Sequence, residues 1–459
     1  MSPTYPAQAQ PPSDPRQRAA LVLAVLGFFV VALDAQIVNV ALPAIRVSLG
    51  GGLSGLQWVV TGYTVTFASL QLLAGALADR SGSRRIYGVG MVIFMVSSVA
   101  CAAASSLPAL VAARIIQGAG AAMITPASLA LIREAFTDPI ARGRAITRWA
   151  LGGAVATVAG PVLGGAFTQL HWRLIFLINV PIGVVAFVVL RRVSQSPRRV
   201  VPFDWAGQVS AVAALAGLTY TIIEGANLGY TASPILFAFA VGVVGAGTFI
   251  LVQLRGRHPM VPAALFESPI VPAALLIGAG YMAAFYGMVF VQSFYFQQLR
   301  GIEPLATGLL FLPMTALVAV LNPFIARAMS RYGLLVPIVG GQLVMAAGLF
   351  SLTLVSPDAP VVIVAILMVP VGVGGSFTVP AVTAMIMNQI PAGLGGTASG
   401  VLSTARQLGG VLGVAIFGAV LVLEPDFVTG LRVNFIVTAV FLLGLIPVIV
   451  HAHRLSRRR

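Results

Sequence analysis

Long apolar stretches alternate with short polar segments along almost the whole chain. Each stretch holds about 20 residues, the length that an α-helix needs to cross a lipid bilayer. The pattern predicts an all-α polytopic membrane protein with fourteen transmembrane helices. Their approximate bounds are 20–45, 56–78, 86–107, 108–133, 147–169, 173–191, 205–225, 232–254, 270–297, 305–328, 334–355, 360–386, 398–422 and 433–453.

The arginines fall mostly on one side of the predicted membrane. With the N-terminus inside, 21 of the 27 arginines lie in inner segments. The four at the outer side are Arg46, Arg173, Arg300 and Arg432. Because basic residues accumulate on the cytoplasmic side of membranes, the sequence predicts that both termini lie in the cytoplasm.

The composition supports a membrane protein and excludes several functions. Hydrophobic residues make up 58% of the chain and charged residues 8%, a balance typical of polytopic membrane proteins. The chain has no lysine, which a Walker A loop requires, so we expect no ATP-driven chemistry. The net charge of +15 comes from arginines between apolar stretches, so it indicates topology and not nucleic-acid binding. The single cysteine, Cys101, excludes disulfides and Cys-based metal sites within the chain, and we expect no metal or cofactor.

A short internal repeat predicts two similar halves. Gly118-Ala119-Gly120 is followed by Pro126-Ala127, and Gly372-Val373-Gly374 is followed by Pro380-Ala381, with the same spacing. Two related halves around an insert are a common plan of transporters, with the substrate site between the halves. The predicted organisation is a disordered tail at 1–18, a six-helix bundle at 19–192, a linker with two inserted helices at 193–258, a second six-helix bundle at 259–453, and a basic tail at 454–459.

Several motifs resemble those of the major facilitator superfamily. Gly75 with Asp79-Arg80-x-Gly82 resembles its inner-loop motif, Arg114-Ile115-Ile116-Gln117-Gly118 its helix-4 motif, and the segment from Gly152 to Gly165 its antiporter motif in helix 5. The segments 33–43, 172–183 and 295–301 resemble the fourteen-helix drug:proton antiporters, and methylenomycin-resistance exporters in particular. Members often have Thr where this chain has Gln36, which bears on substrate preference and not on the fold.

The resemblance implies a function and a cellular location. It implies the major facilitator fold and a monomer of a bacterial inner membrane that exchanges protons for a small molecule. The expected cargo is hydrophobic, drug-like and possibly cationic. A dedicated exporter of one endogenous natural product, such as an antibiotic, is the alternative. An importer fits the helix-5 motif less well, and neither an enzyme nor a sensor is indicated, because no polar constellation converges at one depth.

Asp34 is a lone carboxylate inside the first apolar stretch. An ionised Asp near the bilayer centre costs about 2.5–3.5 kcal/mol, so such a residue is expected to serve protons or cations. A structural Asp that binds a neighbouring helix is the alternative. Arg114 is the expected partner, since the two residues lie about 16 Å and about 9 Å below the outer ends of their helices. The resemblance implies that Arg114 takes part in proton transfer.

Two further groups are expected to control movement of the halves. Gly152, Ala156, Gly160 and Gly164 form a small-residue stripe that lets another helix approach closely, and Pro161 allows a bend. The resemblance implies that the inner loop is a latch between the halves; a plain turn whose charges obey topology is the alternative. The residues of this predicted gating set are Gly75, Asp79, Arg80, Gly82, Gly152, Gly160, Pro161 and Gly164.

Candidate substrate contacts are polar or aromatic residues inside the predicted helices. Tyr281, Phe285, Phe290 and Phe294 form an aromatic stripe on the ninth predicted helix, 270–297. This stripe could stack on a flat or cationic ligand, although packing is the commoner role of such stripes. Glu224 lies near the outer end of helix 7, where an interfacial role competes with a transport role. Arg406 lies nearer the inner face, where its side chain could extend to the membrane surface. The candidates are Asp34, Gln36, Asn39, Trp58, Tyr63, Gln117, Glu224, Tyr281, Phe285, Phe290 and Phe294.

Overall fold

The computed structural model describes residues 14–198, 202–356, 358–390 and 394–456, without the side chains at 318, 319, 322 and 323. These ranges contain helices and no strand. A short 3-10 helix covers Ala263–Phe266 and a π-helical turn covers Tyr295–Leu299. The α-helices are α1 (Pro15–Leu49), α2 (Leu53–Ser81), α3 (Ser83–Ala103), α4 (Leu107–Ala135), α5 (Pro139–Leu170), α6 (Leu174–Leu177), α7 (Asn179–Leu190), α8 (Trp205–Leu228), α9 (Ser233–Arg255), α10 (Ile270–Phe294), α11 (Pro304–Tyr332), α12 (Leu335–Thr353), α13 (Val361–Met387), α14 (Gly395–Leu423) and α15 (Phe427–Ser456).

The helices account for the fourteen predicted spans. Twelve helices of the described residues are long and apolar enough to cross a membrane. The predicted sixth span corresponds to the apolar helical segment Leu174–Leu190, which is interrupted at Ile178. The predicted tenth span corresponds to α11, whose apolar segment Pro304–Leu317 forms its first part. The all-α prediction is confirmed. The predicted tails are outside the described residues, except for 14–18 and 454–456, which continue α1 and α15.

An even number of spans brings both ends of the chain to the same side of the bundle. We call this side, which holds Pro15, Ser456 and the α2–α3 connection, the terminal face. The other side, which holds the α1–α2 and α5–α6 connections, is the opposite face. Odd-numbered spans therefore run from the terminal face to the opposite face.

The helices pack as two six-span bundles and an inserted hairpin. The first half consists of α1 to α7 and the second half of α10 to α15, and each has its own set of close helix pairs. The inserted helices α8 and α9 pack on each other, and α8 also contacts α2 and α14. The predicted boundaries near 192 and 258 fall in the non-helical segments that precede α8 and α10.

The sequence repeat corresponds to equivalent contacts in the two halves. A methyl group on Gly118 of α4 would collide with the carbonyl of Tyr63 on α2, and one on Gly372 of α13 would collide with the carbonyl of Met314 on α11. Two residues later, Gly120 lies against α3, and Gly374 lies against α12 in the same way. The repeated glycines therefore allow the same close approach of three helices in each half.

Two hydrogen bonds attach the inserted hairpin to the first half. Gln208 of α8 donates to the carbonyl of Ser69 at 2.8 Å, and the Trp58 indole donates to Glu224 Oε1 at 2.8 Å. Gln208 lies near the terminal end of α8 and Glu224 lies near its other end. The helix is thus attached to α2 at both ends, and Trp58 and Glu224, both candidate substrate contacts, bind each other.

Candidate functional site

Asp34 lies in the middle of α1 and is completely buried inside the first half. Its carboxylate forms an ion pair with Arg114 of α4. Oδ1 also accepts hydrogen bonds from Gln117 at 3.0 Å and from Asn179 of α7 at 2.7 Å. Three donors from two other helices therefore hold the carboxylate. Arg114 balances its charge, and the two amides of Gln117 and Asn179 add hydrogen bonds.

The Arg114 side chain joins three helices. Its Nη1 binds Asp34 and also donates to Gln117 Oε1 at 2.7 Å, and its Nε donates to the carbonyl of Val59 on α2 at 3.0 Å. The guanidinium carbon lies 4.2 Å from the centre of the Tyr63 ring, a favourable cation–π distance. Arg114 is 1% exposed, so this arrangement excludes solvent.

Three residues of this cluster were not singled out from the sequence. Asn179 lies at the start of α7, and its amide nitrogen reaches both Asp34 and the hydroxyl of Ser98 on α3, the latter at 3.0 Å. Gln117 also donates to Ser98 at 2.7 Å, and the Cys101 sulfur lies 3.6 Å from Gln117 Oε1. Asn179 lies within the segment 172–183, which resembles a motif of the drug:proton antiporters, and this resemblance could have pointed to it from the sequence. Ser98 lies among small and apolar residues and gives no such signal.

The charges inside this buried cluster are balanced. Asp34 and Arg114 form an ion pair, and hydrogen bonds satisfy both carboxylate oxygens. Loss of the negative charge of Asp34 would leave Arg114 without a countercharge in a medium of low dielectric, where an unpaired charge is costly. The ion pair therefore connects α1 to α4, and through Arg114 to α2.

The small-residue stripe of α5 packs against α1. A methyl group on Gly152 would press on Val25, one on Gly160 would press on Gln36, and one on Gly164 would collide with the carbonyl of Ile37. Pro161 lies inside α5 on a neighbouring side of the helix. The helix that carries Asp34 thus lies directly against the helix that was predicted to gate the halves.

The other side of α5 contacts the second half near the opposite face. Gly308 of α11 lies against the carbonyl of Pro161, and Gly165 lies against Pro304 and Leu305. Beyond them, Gln169 donates to Glu303 at 3.1 Å. A contact between α1 and the second half lies on the same face, where the Arg46 guanidinium donates to Gln298 at 3.3 Å.

The helices α2 and α14 form the equivalent pair on the other side of the molecule. Gln57 donates to the carbonyls of Val414 and Ala415 at 3.0 and 2.9 Å. Nearer the terminal face, Gln71 donates to Ser403 at 2.9 Å. The two halves therefore meet along two helix pairs, α5 with α11 and α2 with α14, as the pseudo-symmetry requires.

The other predicted substrate contacts lie in different environments. Gln36 of α1 reaches across to the second half, with its amide nitrogen 3.4 Å from the Tyr286 hydroxyl. Asn39 bonds back to the α1 carbonyls of Ala35 and Gln36. The aromatic stripe of α10 is buried in a hydrophobic cluster that also contains residues of the first half. Tyr286, which was not singled out from the sequence, is the α10 residue whose hydroxyl meets Gln36 of the first half. The buried stripe residues are Tyr281, Phe285, Phe290 and Phe294.

The predicted inner-loop latch lies at the end of α2 on the terminal face. Asp79 and Arg80 are exposed, and the Arg80 guanidinium lies 4.9 Å from the centre of the Phe203 ring. Gly82 has a φ of 92°, a conformation that glycine adopts readily, and it closes the turn beside Ser196. Gly75 lies against Pro126 of α4. These partners belong to the first half and to the segment before α8, so the latch between halves remains a prediction.

Arg406 of α14 binds two groups of α13 within the second half. Its Nη2 donates to Thr383 Oγ1 at 2.7 Å and to the carbonyl of Val379 at 3.1 Å, both on α13. Within the described ranges, no group of three or more His, Cys, Asp or Glu residues is placed to bind a metal ion.

Two bundles of six spans with a buried ionisable cluster and a seam between them define a membrane transporter. The chain belongs to the Major Facilitator Superfamily, whose family model matches residues 24–414. It is a multi-pass membrane transporter and not an enzyme.

Two curated relatives illustrate its place in the family. The chain is 36% identical over 427 residues to the methylenomycin A resistance protein of Bacillus subtilis (strain 168), covering 91% of this chain and 90% of the relative. It is also 36% identical to the multidrug resistance protein Stp of Mycobacterium tuberculosis (strain ATCC 25618 / H37Rv), covering 88% of this chain and 76% of that protein.

Solved structures show the same fold. The POT family transporter PepTSo matches with a TM-score of 0.73 at 15% identity, over 98% of this chain and 99% of that chain. A bacterial homologue of the human lysosomal transporter Spinster matches with a TM-score of 0.68 at 16% identity, over 96% and 98% of the two chains. At these identities the likeness supports the fold alone.

Proposed function

We propose that this protein is a proton-driven exporter of hydrophobic, drug-like small molecules. The observation that carries the proposal is the completely buried ion pair of Asp34 and Arg114, since a membrane protein that keeps such a pair usually uses it. The curated relatives include proteins named for resistance to methylenomycin A and for multidrug resistance. We further propose that it acts as a monomer in a bacterial inner membrane. The arginine distribution supports placing both termini, and with them the terminal face, in the cytoplasm.

Asp34 would carry the proton. When the site communicates with the outside, the carboxylate takes up a proton and releases Arg114. When the site communicates with the cytoplasm, the proton leaves and the ion pair with Arg114 forms again. Because Arg114 also binds Val59 and Gln117, each change in protonation alters contacts between α1, α2 and α4.

The movement of the halves would follow from the position of α1. This helix carries Asp34, packs on the glycine stripe of α5, and contacts Tyr286 of the second half through Gln36. A shift of α1 would therefore be transmitted to α5 and to its contact with α11 at the opposite face. Alternating opening of the two faces around a cavity between the halves is the expected transport cycle.

A dedicated exporter of one natural product is the second candidate. Several relatives are named for single antibiotics, among them tetracenomycin C in Streptomyces glaucescens and puromycin in Streptomyces alboniger. A panel of dyes and antibiotics separates the two candidates, because a dedicated exporter would confer resistance to one compound only.

Inverted membrane vesicles test the proposed function. A fluorescent dye is added to the medium around vesicles that contain the protein, and respiration acidifies the vesicle lumen. Uptake that begins with acidification and stops with a protonophore supports proton-driven export. Uptake equal to that of vesicles without the protein, at confirmed expression, would reject it.

A further inference from the structure

Arg406 is a cation in the second half that has no carboxylate partner among the described residues. All five acidic residues after residue 259 lie in loops or at helix ends: Glu267, Glu303, Asp358, Glu424 and Asp426. Arg406 lies eleven residues into α14, about 16 Å from the first residue of the helix. An intramembrane cation is costly, and such a residue is a candidate functional site.

The protein satisfies the guanidinium group only in part. Nη2 binds Thr383 and the Val379 carbonyl, but Nε is buried and has no hydrogen-bond partner in the described structure. An Arg side chain has five N–H donors in a planar arrangement that matches a carboxylate. Donors therefore remain for an additional acceptor.

The guanidinium lies close to the boundary between the halves. Ser403, one helical turn before Arg406 on the same face of α14, bonds to Gln71 of the first half. On α10, Gly278 lies beside Arg406, Tyr281 follows about one helical turn later on the same side, and Tyr286 contacts Gln36 of the first half. A methyl group on Gly278 of α10 would lie 3.3 Å from Leu402 and 3.8 Å from Arg406 Nε, so the backbone of α10 passes close to the guanidinium. Side chains of α14 around this position are partly accessible.

The charges at this boundary do not favour a cation. Asp34 is paired with Arg114 and is completely buried, so it does not compensate for the charge of Arg406. The geometry points to Arg406 as the binding site for a carboxylate on the exported molecule, with Tyr281 and Tyr286 beside its apolar part. That the bound molecule is exported rests on the proposed function, whereas the binding itself rests on the contacts of Arg406.

Direct binding tests the inference independently of transport. The full-length protein is purified in a phosphate-free sugar detergent, and fluorescence anisotropy is measured with a rhodamine that carries a free carboxylate and with the methyl ester of the same dye. We expect the acid to bind about tenfold more tightly than the ester, the effect of one charge-assisted hydrogen bond. Arg406→Gln should abolish this preference and leave the affinity for the ester unchanged.

Two variants separate binding from a structural role. Thr383→Val removes a hydrogen bond of Arg406 and keeps its charge, so the preference for the acid should remain. Arg406→Lys keeps a charge without the planar arrangement and should keep part of the preference; it also serves if Arg406→Gln does not fold. An equal loss of preference in Thr383→Val and Arg406→Gln would mean that Arg406 only connects α13 to α14, and would overturn the inference.

Three further outcomes would overturn it. They are equal binding of acid and ester by the wild type, binding of neither dye, and an unchanged preference in Arg406→Gln. Displacement of the acid by an equal concentration of phosphatidylglycerol would assign the site to a lipid headgroup. Binding that behaves as expected in a protein that shows no proton-driven uptake would reject the proposed function and leave the carboxylate site standing.

Discussion

Asp34 and Gln36 lie two residues apart on α1 and contact different halves of the molecule. The Asp34 carboxylate binds Arg114 and Asn179 within the first half, whereas the Gln36 amide nitrogen lies 3.4 Å from the Tyr286 hydroxyl in the second half. Side chains two positions apart on an α-helix point in directions about 200° apart. In the proposed cycle, a displacement of α1 on protonation would therefore act directly on the contact between the halves.

Asp34→Asn should abolish proton-driven efflux, because an amide cannot ionise. Its oxygen can still accept hydrogen bonds from Gln117 and Asn179, but Arg114 loses its countercharge, so the variant should also be less stable than the wild type. Drug resistance in a sensitive strain and dye uptake by inverted vesicles measure the effect, which should reach the level of cells without the protein. Asp358→Asn, at an exposed loop position, is the matched control and should leave efflux unchanged. Normal resistance of Asp34→Asn at normal expression would exclude Asp34 as the coupling group.

Asn179→Leu should destabilise the protein and reduce proton-driven efflux. Asn179 donates a hydrogen bond to the buried Asp34 carboxylate, and a hydrogen bond to a charged group contributes about 1.5–3 kcal/mol. Without this donor the free energy of unfolding should fall by about that amount, because the carboxylate stays buried with one partner fewer. Thermal unfolding and dye uptake by inverted vesicles measure the two effects. Asn227→Leu, which removes an amide at the exposed end of α8, should leave both unchanged.

Gly118→Ala and Gly372→Ala should destabilise the protein to a similar extent. Each added methyl group meets a backbone carbonyl of the adjacent helix, and overpacking of this kind typically costs about 1–3 kcal/mol. Thermal unfolding of the purified proteins measures the effect. Gly340→Ala is the control, since nothing lies within 4 Å of its added methyl group. Wild-type stability of both variants would show that the helices are not packed as described.

A covalent link between α5 and α11 should stop transport. Gln169 and Glu303 are hydrogen-bonded across the halves at the opposite face, so cysteines at these two positions can be joined by a short bifunctional thiol reagent. The background is Cys101→Ser, which removes the single native cysteine. We expect loss of dye uptake after linking and its recovery after reduction of a disulfide-containing linker. The single-cysteine variants control for modification alone, and full uptake by the linked protein would contradict separation of the halves at this face.

Glu224→Gln should retain efflux. The Trp58 indole donates to Glu224 Oε1, and an amide oxygen at this position can still accept that hydrogen bond. Glu224→Ala and Trp58→Phe should each reduce stability by about 1 kcal/mol, and the double variant should lose little more, because both changes break the same bond. Thermal unfolding and dye uptake are measured on all four proteins. Loss of uptake in Glu224→Gln with normal stability would instead assign Glu224 to proton movement.

The sequence by itself determined the helices and their number. Apolar stretches of about 20 residues have few alternatives to a membrane-spanning helix, because lipid leaves no other partner for backbone polar groups. The repeat of Gly118 and Gly372 also predicted two related halves, since close helix approach requires the same small residues in both. The depths of Asp34 and Arg114 were predictable to within an Arg side chain, because an α-helix has a fixed rise per residue.

Only the tertiary structure decided which side chains share a site. Helix spacing gives depth but not rotation, so the sequence could not show that the Tyr286 hydroxyl meets Gln36 of the first half while Phe290 and Phe294 are buried in hydrophobic packing. Ser98 and Asn179 come from helices distant in sequence and reach Asp34 or its partners only because α7 packs on α1 and α3 packs on α4 and α7. The sequence also could not show that Arg406 Nε has no hydrogen-bond partner in the described structure, because the sequence pattern does not depend on what an arginine in a span binds.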